Sequence, residues 1–231
     1  MRFHSRETLV QIQPKQQAIK NYNRISTWYD FLAGRSEQRI REEGLRQLDP
    51  KAGEILLEIG FGTGRCIIQL AQAVGNTGKV CGIDISDRMV AIAKGRAEAA
   101  GYSRTTELCC DDALNLPYPD ESFDGLFMSF TLETLGTQEI GPFLRQCKRV
   151  SRTDGRVCII SMSAKGKHGV MMRLYEWAHA NFPNTIDCRP IDAEQLLLDA
   201  GFAVTGKKAA SIWGLPVDIV ISRVKAKNDL N

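Results

Sequence analysis

The sequence predicts a three-layer α/β sandwich built on a seven-stranded, mostly parallel sheet with helices on both faces. Three observations carry this expectation. Apolar runs of strand length alternate with amphipathic stretches of helical period in the order β-α-β-α-β-β-α-β-α-β-β. The first apolar run ends in a turn with glycines at alternate positions, Gly60, Gly62 and Gly64, and an amphipathic segment follows at once. The second run ends in an acid, Asp84, about 20 residues beyond that turn, where open α/β sheets meet their ligands.

At 231 residues the chain suits a single domain over 1–231, with an N-terminal helical arm (1–48) and a helical cover (164–190) as appendages. A formal net charge of +3 gives no large basic field, so no nucleic-acid partner is expected. The cysteine count, 7, is odd, no Cys-x-x-Cys pair occurs, and the histidines are His4, His168 and His179, so no metal cluster is expected. Cys66, Cys81, Cys147 and Cys158 sit in apolar patterns and read as core, which fits a reducing cytoplasm. No apolar stretch approaches the roughly 18 residues of a membrane span, and the N-terminus lacks the apolar region of a signal peptide.

Taken in order, residues Tyr22 to Leu32 are unusually aromatic, and Tyr22, Trp28 and Tyr29 either pack on the domain or form a lid over a bound cofactor, Tyr29 foremost as a cofactor contact. Ser36 to Leu48 is a helix with Ile40, Leu45 and Leu48 inward, and the loop Asp49 to Gly53 feeds the first strand, residues 54–59. Glycines in the turn that follows tolerate positive φ, and the first N–H groups of the next helix favour an anionic group. The third glycine of a dinucleotide fingerprint would fall at Arg65; here it is Gly64, and the pattern is E-x-G-x-G-x-G with Glu58 at the strand end. A carboxylate there suits a ligand with an ammonium group and repels a pyrophosphate.

The stretch Glu54 to Arg65 resembles motif I of the class I S-adenosylmethionine (SAM)-dependent methyltransferases. The resemblance implies a Rossmann-like fold whose last strand is antiparallel, and a cofactor whose amino-acid end lies over Glu58, Gly60, Gly62, Thr63 and Gly64. The second strand, Lys79 to Asp84, and its sequel Ile85-Ser86-Asp87-Arg88-Met89 look like the family's second motif. Asp84 can accept both ribose hydroxyls, the alternative being a helix-terminal acid. Ile85 and Met89 would pack on the adenosine, although Met89 reads equally as core. The third strand, Thr105 to Cys110, reads as a buried strand ending in Cys109-Cys110, and it leads into Asp111-Asp112-Ala113-Leu114-Asn115-Leu116-Pro117-Tyr118, which resembles the adenine-binding landmark. Asp112 is the aligned acid, Ala113 its small neighbour, and Asp111 either joins them or lies on the surface.

The fourth strand, Phe123 to Phe130, ends at Ser129, expected to meet the cofactor through its backbone, and Glu133 faces either substrate or solvent. No Asn-Pro-Pro-Tyr is present, which lowers DNA and protein amino groups as acceptors. A helix over Gln138 to Ser151, a turn at Arg152 to Gly155, a strand over Arg156 to Met162, a helix over Asp192 to Ala200 and strands over 202–209 and 216–224 complete the pattern. The helix His168 to Phe182 is the expected cover, with Tyr175, His179, Asp187 and Arg189 as candidate substrate contacts.

The Tyr-Asp arm, the Leu-Pro-Tyr turn and the late cover are similar to the ubiquinone/menaquinone-biosynthesis group. The resemblance implies methyl transfer from SAM to a small or lipid-like acceptor, such as a quinone precursor or related aromatic, with at most peripheral membrane contact. Carbon methylation of a hydroquinone needs a base, and no residue identifies itself as one. Alternatives are an O- or N-methyltransferase for a soluble metabolite, a SAM-binding module without turnover, arsenite methylation through Cys109-Cys110, and a nicotinamide oxidoreductase, against which Arg65 argues.

Overall fold

The computed structural model describes residues 34–165 and 189–225. The aromatic arm with Tyr22, Trp28 and Tyr29, and the expected cover helix with Tyr175, His179 and Asp187, lie outside the described residues. The elements are α1 (Gly34–Leu48), β1 (Ile55–Ile59), α2 (Arg65–Val74), β2 (Lys79–Asp84), α3 (Asp87–Ala99), β3 (Thr106–Cys110), β4 (Phe123–Ser129), α4 (Thr137–Val150), β5 (Ser151–Met162), α5 (Ala193–Asp199), β6 (Phe202–Ile212) and β7 (Leu215–Val224).

The strands form one seven-stranded sheet in the order β3-β2-β1-β4-β5-β7-β6. Neighbours from β3 through β5 are parallel, and β7 runs antiparallel between β5 and β6. The chain winds outward from β1 to β3, then returns to place β4 on the other side of β1. The strand order therefore reverses at β1/β4, and the carboxyl ends of these two strands open a crevice where an α/β sheet holds its ligand.

The period of two along each strand separates two apolar layers. Leu57, Ile59, Leu126, Met128, Val157 and Ile159 face α4 and α5, meeting Phe143, Leu144 and Leu197. Leu56, Phe127, Cys158 and Ile160 face α1, α2 and α3, meeting Leu48, Ile67, Leu70 and Ala93. Each such fully buried side chain contributes about 1.5–3 kcal/mol through removal of apolar surface from water. Ile40, Leu45 and Leu48 of α1 are buried as the helical period demands, and Cys66, Cys81, Cys147 and Cys158 are core.

Three local readings change. The turn expected at Arg152 to Gly155 is a bulge inside a longer β5: the register passes from Phe123 opposite Ser151 to Gly125 opposite Arg156, and Asp154 takes φ 61°. Extra residues on one strand are absorbed in this way without ending the ladder. Cys109-Cys110 does not end a buried strand. β3 is the sheet edge, Cys109 is half-buried, and Cys110 is exposed. Finally, β6 and β7 extend to a tight turn in which Trp213 and Gly214 both have positive φ, 50° and 83°.

Candidate cofactor and active site

The glycine turn caps the end of β1. Gly60, Gly62 and Gly64 have φ of 70°, 52° and 76°, so all three occupy the left-handed region that side chains disfavour. Two of them also back onto protein: a Cβ on Gly60 would stand 2.3 Å from Thr131 Oγ1, and one on Gly64 2.6 Å from Ala93 Cβ. The glycines at 60 and 64 are thus required by the packing of the turn itself. Thr131 Oγ1 donates to Ile59 O at 3.1 Å, which fixes the end of β1 against the segment after β4. Between them Phe130 takes φ 56°, a left-handed conformation for a bulky residue at the edge of the crevice.

Asp84, 7% exposed, ties β2 to this turn. Its Oδ2 accepts the Gly62 N–H at 2.8 Å and its Oδ1 the Ser86 N–H at 2.9 Å. Burial raises its carboxyl above the usual range, and the backbone donors oppose that shift. The cap of α3 is Ser86, whose hydroxyl accepts from Met89 N at 3.2 Å, so Asp84 does not serve as the helix cap. Ile85 next to it is 45% exposed, an apolar side chain just beyond the carboxyl end of β2. Met89 is 1% exposed and packs as core, the second of its two readings.

Glu58 lies beneath the turn at 3% exposure, and its Oε2 has no hydrogen-bond partner among the described residues. Burial pushes its carboxyl up to about 8, against the pull of the Arg41 guanidinium and with a further push from Asp84. Arg41 reaches over from α1: its Nη2 pairs with the buried Glu37 at 2.9 Å, and its Nε donates to Ser129 Oγ at 3.2 Å. Thr63 is held from α3, where Arg96 Nη1 donates to its carbonyl at 2.6 Å and its hydroxyl at 3.0 Å.

On the β3 side, Asp112 is half-buried and caps the short 3-10 turn Ala113–Asn115 by accepting from Leu114 N at 3.0 Å. Asp111 is exposed, accepting from Asp112 N at 2.7 Å, and Ala113 packs against the core. Arg149 of α4 pins the following loop through Leu116 O at 2.9 Å, Tyr118 O at 2.7 Å and Asp120 Oδ1 at 2.8 Å. Glu133 does not face solvent: it is 1% exposed, and its Oε1 accepts from Met162 N at 3.1 Å. Arg189 donates to Leu135 O at 3.1 Å and to Thr137 Oγ1, so its bonds go to the loop after Glu133.

The structure thus gathers Glu58, Gly60, Gly62, Thr63, Gly64, Asp84, Ile85 and Ser129 around one crevice, with Asp112 and Ala113 beyond β3. Arg41, Arg96, Thr131 and Arg149 were not singled out by sequence. Each acts across a long separation, and no local pattern announces such a partner. The residues present fit a SAM molecule: a buried carboxylate oxygen without a donor, a glycine cradle and an exposed apolar residue beside an acid. Among the described residues no group of three His, Cys, Asp or Glu side chains could hold a metal, and no helix is long and apolar enough to cross a membrane.

Comparison with known proteins agrees with this geometry. Residues 56–155 match the family described as a methyltransferase domain. The chain is 31% identical over 156 residues to a demethylmenaquinone methyltransferase of Bacillus mycoides (strain KBAB4), covering 65% of this chain and 65% of that protein. It is 29% identical over 154 residues to one of Lactobacillus johnsonii, covering 65% and 62%. The alignments with these two curated relatives therefore span less than two thirds of each relative's length. A SAM-dependent methyltransferase from Aquifex aeolicus superposes with a TM-score of 0.65 at 23% identity, covering 86% of this chain and 98% of that one. The [4+2]-cyclase SpnF superposes with a TM-score of 0.67 at 21% identity, covering 81% and 80%. With its glycine turn, its second-strand acid and its reversed sheet order, the chain matches a methyltransferase domain over residues 56–155, and its fold is similar to that of a SAM-dependent methyltransferase.

Proposed function

We propose that this protein transfers a methyl group from SAM to a hydroxylated aromatic acceptor of the quinone-precursor type. The observation that carries the cofactor half is Glu58: a carboxylate oxygen buried without a donor beneath a glycine turn. A buried acceptor left unmade costs about 1–3 kcal/mol, so the site calls for a ligand donor, and an ammonium group answers it. Asp84 and Ile85 hold the ribose and adenine side, Asp112 and Ala113 meet the adenine edge, and Ser129 borders the reacting end. The acceptor half is supported by the relatives, which are named demethylmenaquinone methyltransferases.

When bound, SAM supplies a methyl group already made electrophilic by its sulfonium. The protein's part is placement: a nucleophile held in line, in a crevice kept from water, where charges interact more strongly. Glu58 holds one end of the cofactor, while the packing of Gly60 on Thr131 fixes the turn relative to β4.

The test is incubation of the purified protein with isotopically methyl-labelled SAM and a demethylmenaquinol-type hydroquinone, read by mass spectrometry. One labelled methyl on the ring is expected. The SpnF likeness shows that this fold hosts other chemistry. Tight SAM binding with no methyl transfer to hydroquinones, catechols or a cell extract would replace the enzyme by a SAM-binding module.

A further inference from the structure

We propose that Glu133 is the general base of the reaction, taking the proton from a hydroxyl of the aromatic acceptor. This inference rests on the acceptor class proposed above. Four features of the residue point the same way.

Its position is the first. Glu133 lies in the 3-10 turn Leu132–Thr134, directly beyond the carboxyl end of β4, and bonds to Met162 at the carboxyl end of β5. β4 neighbours β1, which carries the cofactor turn. Strands in a sheet lie about 4.8 Å apart, so the ends of β4 and β5 stand about 5–10 Å from that turn. That distance is about the reach of one small aromatic ring laid across the strand ends. An acceptor in line with the methyl group must occupy the same crevice, outside the strand ends.

The second feature is its bonding. Oε1 accepts from Met162 N at 3.1 Å, which anchors the carboxyl, whereas Oε2 is buried and has no partner among the described residues. A neutral acceptor such as Gln would satisfy the Met162 N–H alone. A carboxylate adds a second, stranded oxygen, and that oxygen is the atom free to receive a proton.

Burial is the third, at 1% exposure for a residue type that is rarely fully buried unless paired. It raises the carboxyl to about 7, with the backbone N–H groups of Met162 and Glu133 opposing the rise. A base works best when its pKa lies near the operating pH. The fourth feature is the pinned loop: Thr131 bonds Ile59 on one side, and Arg189 bonds Leu135 on the other.

The chemistry balances without a further reactant. Glu133 takes the hydroxyl proton as the adjacent ring carbon forms its new bond to the methyl group. The carbon–sulfur bond breaks with its electron pair left on sulfur. Glu133 then returns that proton to the ring oxygen and takes the hydrogen of the methylated ring carbon as a proton, which passes to solvent once the product leaves. One proton is released overall, and the carboxylate is regenerated.

The test compares the full chain with Glu133→Gln, which keeps an oxygen for Met162 N–H and cannot ionise, and with Glu133→Asp. Three readouts are taken: SAM affinity by calorimetry, methyl transfer to a demethylmenaquinol-type hydroquinone from pH 5.5 to 9, and carbon NMR titration with labelled glutamate. The expected result is unchanged SAM affinity for Glu133→Gln, a fall in turnover of about 10²–10⁴-fold, and loss of the acid limb near neutrality. Partial rescue by Glu133→Asp is expected as well. The wild type should show one glutamate titrating near neutrality that the Gln variant lacks. Turnover by Glu133→Gln within threefold of wild type, or an unchanged acid limb, overturns the base alone. A wild type that binds SAM and leaves hydroquinones unmethylated overturns the acceptor class, and this inference with it.

Discussion

The carboxylate of Asp84, at the end of β2, accepts the N–H of Gly62 in the glycine turn at 2.8 Å. Its second oxygen accepts from Ser86, so one side chain fixes the turn and the start of α3 together. Removing it loses any ribose contact and the turn's anchor at once. Asp84→Ala is expected to weaken SAM binding by more than about 1.5 kcal/mol, over tenfold, the low end for a charged hydrogen bond. Asp84→Asn should also weaken it, because its amide NH₂ must face one of two N–H donors. Calorimetry on variants that melt cooperatively measures both, and wild-type affinity in either removes Asp84 from the site.

Gly60→Ala is expected to lower stability by about 2 kcal/mol or more. Its φ is 70°, and the new Cβ would meet Thr131 Oγ1 at 2.3 Å and Cγ2 at 2.6 Å. Thr131→Ala in the same chain removes both of those atoms and should recover part of the loss. Urea unfolding of the two single variants and the double variant gives the coupling energy. Additive losses would show that the close approach is not what demands glycine here.

Binding of SAM at neutral pH should release protons. Glu58 is pushed up to about 8 by burial, so it is largely protonated at pH 7 in the free protein. An ammonium group beside it favours the charged form and drives the proton off. Calorimetry in two buffers of different ionisation enthalpy should give different apparent enthalpies, and Glu58→Gln should remove that difference. Identical enthalpies for wild type would mean that the amino group lies elsewhere.

Stability of the free protein should fall between pH 5 and pH 9. Glu58 and Glu133 have folded values of about 8 and about 7 against an ordinary 4.5. The folded state therefore binds more protons than the unfolded one across that window, and stability declines as pH rises through it. Glu43, held near 2 by its bonds to Arg46, acts in the opposite sense and only in acid. Thermal melts across the range should show a slope that Glu58→Gln and Glu133→Gln each reduce. A flat profile for wild type would contradict both shifts.

Trp213→Asn should stabilise the protein by a few tenths of a kcal/mol, up to about 1. Trp213 and Gly214 form the two-residue turn between β6 and β7, with φ of 50° and 83°, and Trp213 is 55% exposed. Asn-Gly is the pair such a turn prefers, and an indole gains little there. A lower midpoint in urea would show that the ring makes contacts that outweigh its strained backbone.

The order and type of the described elements, the glycine turn, the second-strand acid and the antiparallel last strand were all legible in the sequence. Periodicities of 2.0 and 3.6 residues and glycine placement are local signals, written within a single element. The inward face of α1 and the four core cysteines followed from the same local arithmetic. The same reading missed the bulge at Asp154, because extra residues on β5 are defined only against β4. It took Cys110 for the end of a buried strand, because sequence does not say which strand is the edge.

The site divides along the same line. Glu58, Gly60, Gly62, Gly64 and Asp84 sit on the turn and at the strand ends where their types and spacing place them, so their positions were legible in the sequence. Tertiary structure alone decided that Arg41 crosses from α1 to Ser129, that Thr131 closes on Gly60, and that Arg149 pins the loop at Tyr118. It also decided the state of Glu133. Burial and hydrogen bonding are properties of what surrounds a group, and the Met162 N–H that anchors this carboxyl lies 29 residues away along the chain. The identity of Glu133 was in the sequence from the start; its closed surroundings, its anchor on Met162 and its raised proton affinity exist only once β4 and β5 are side by side.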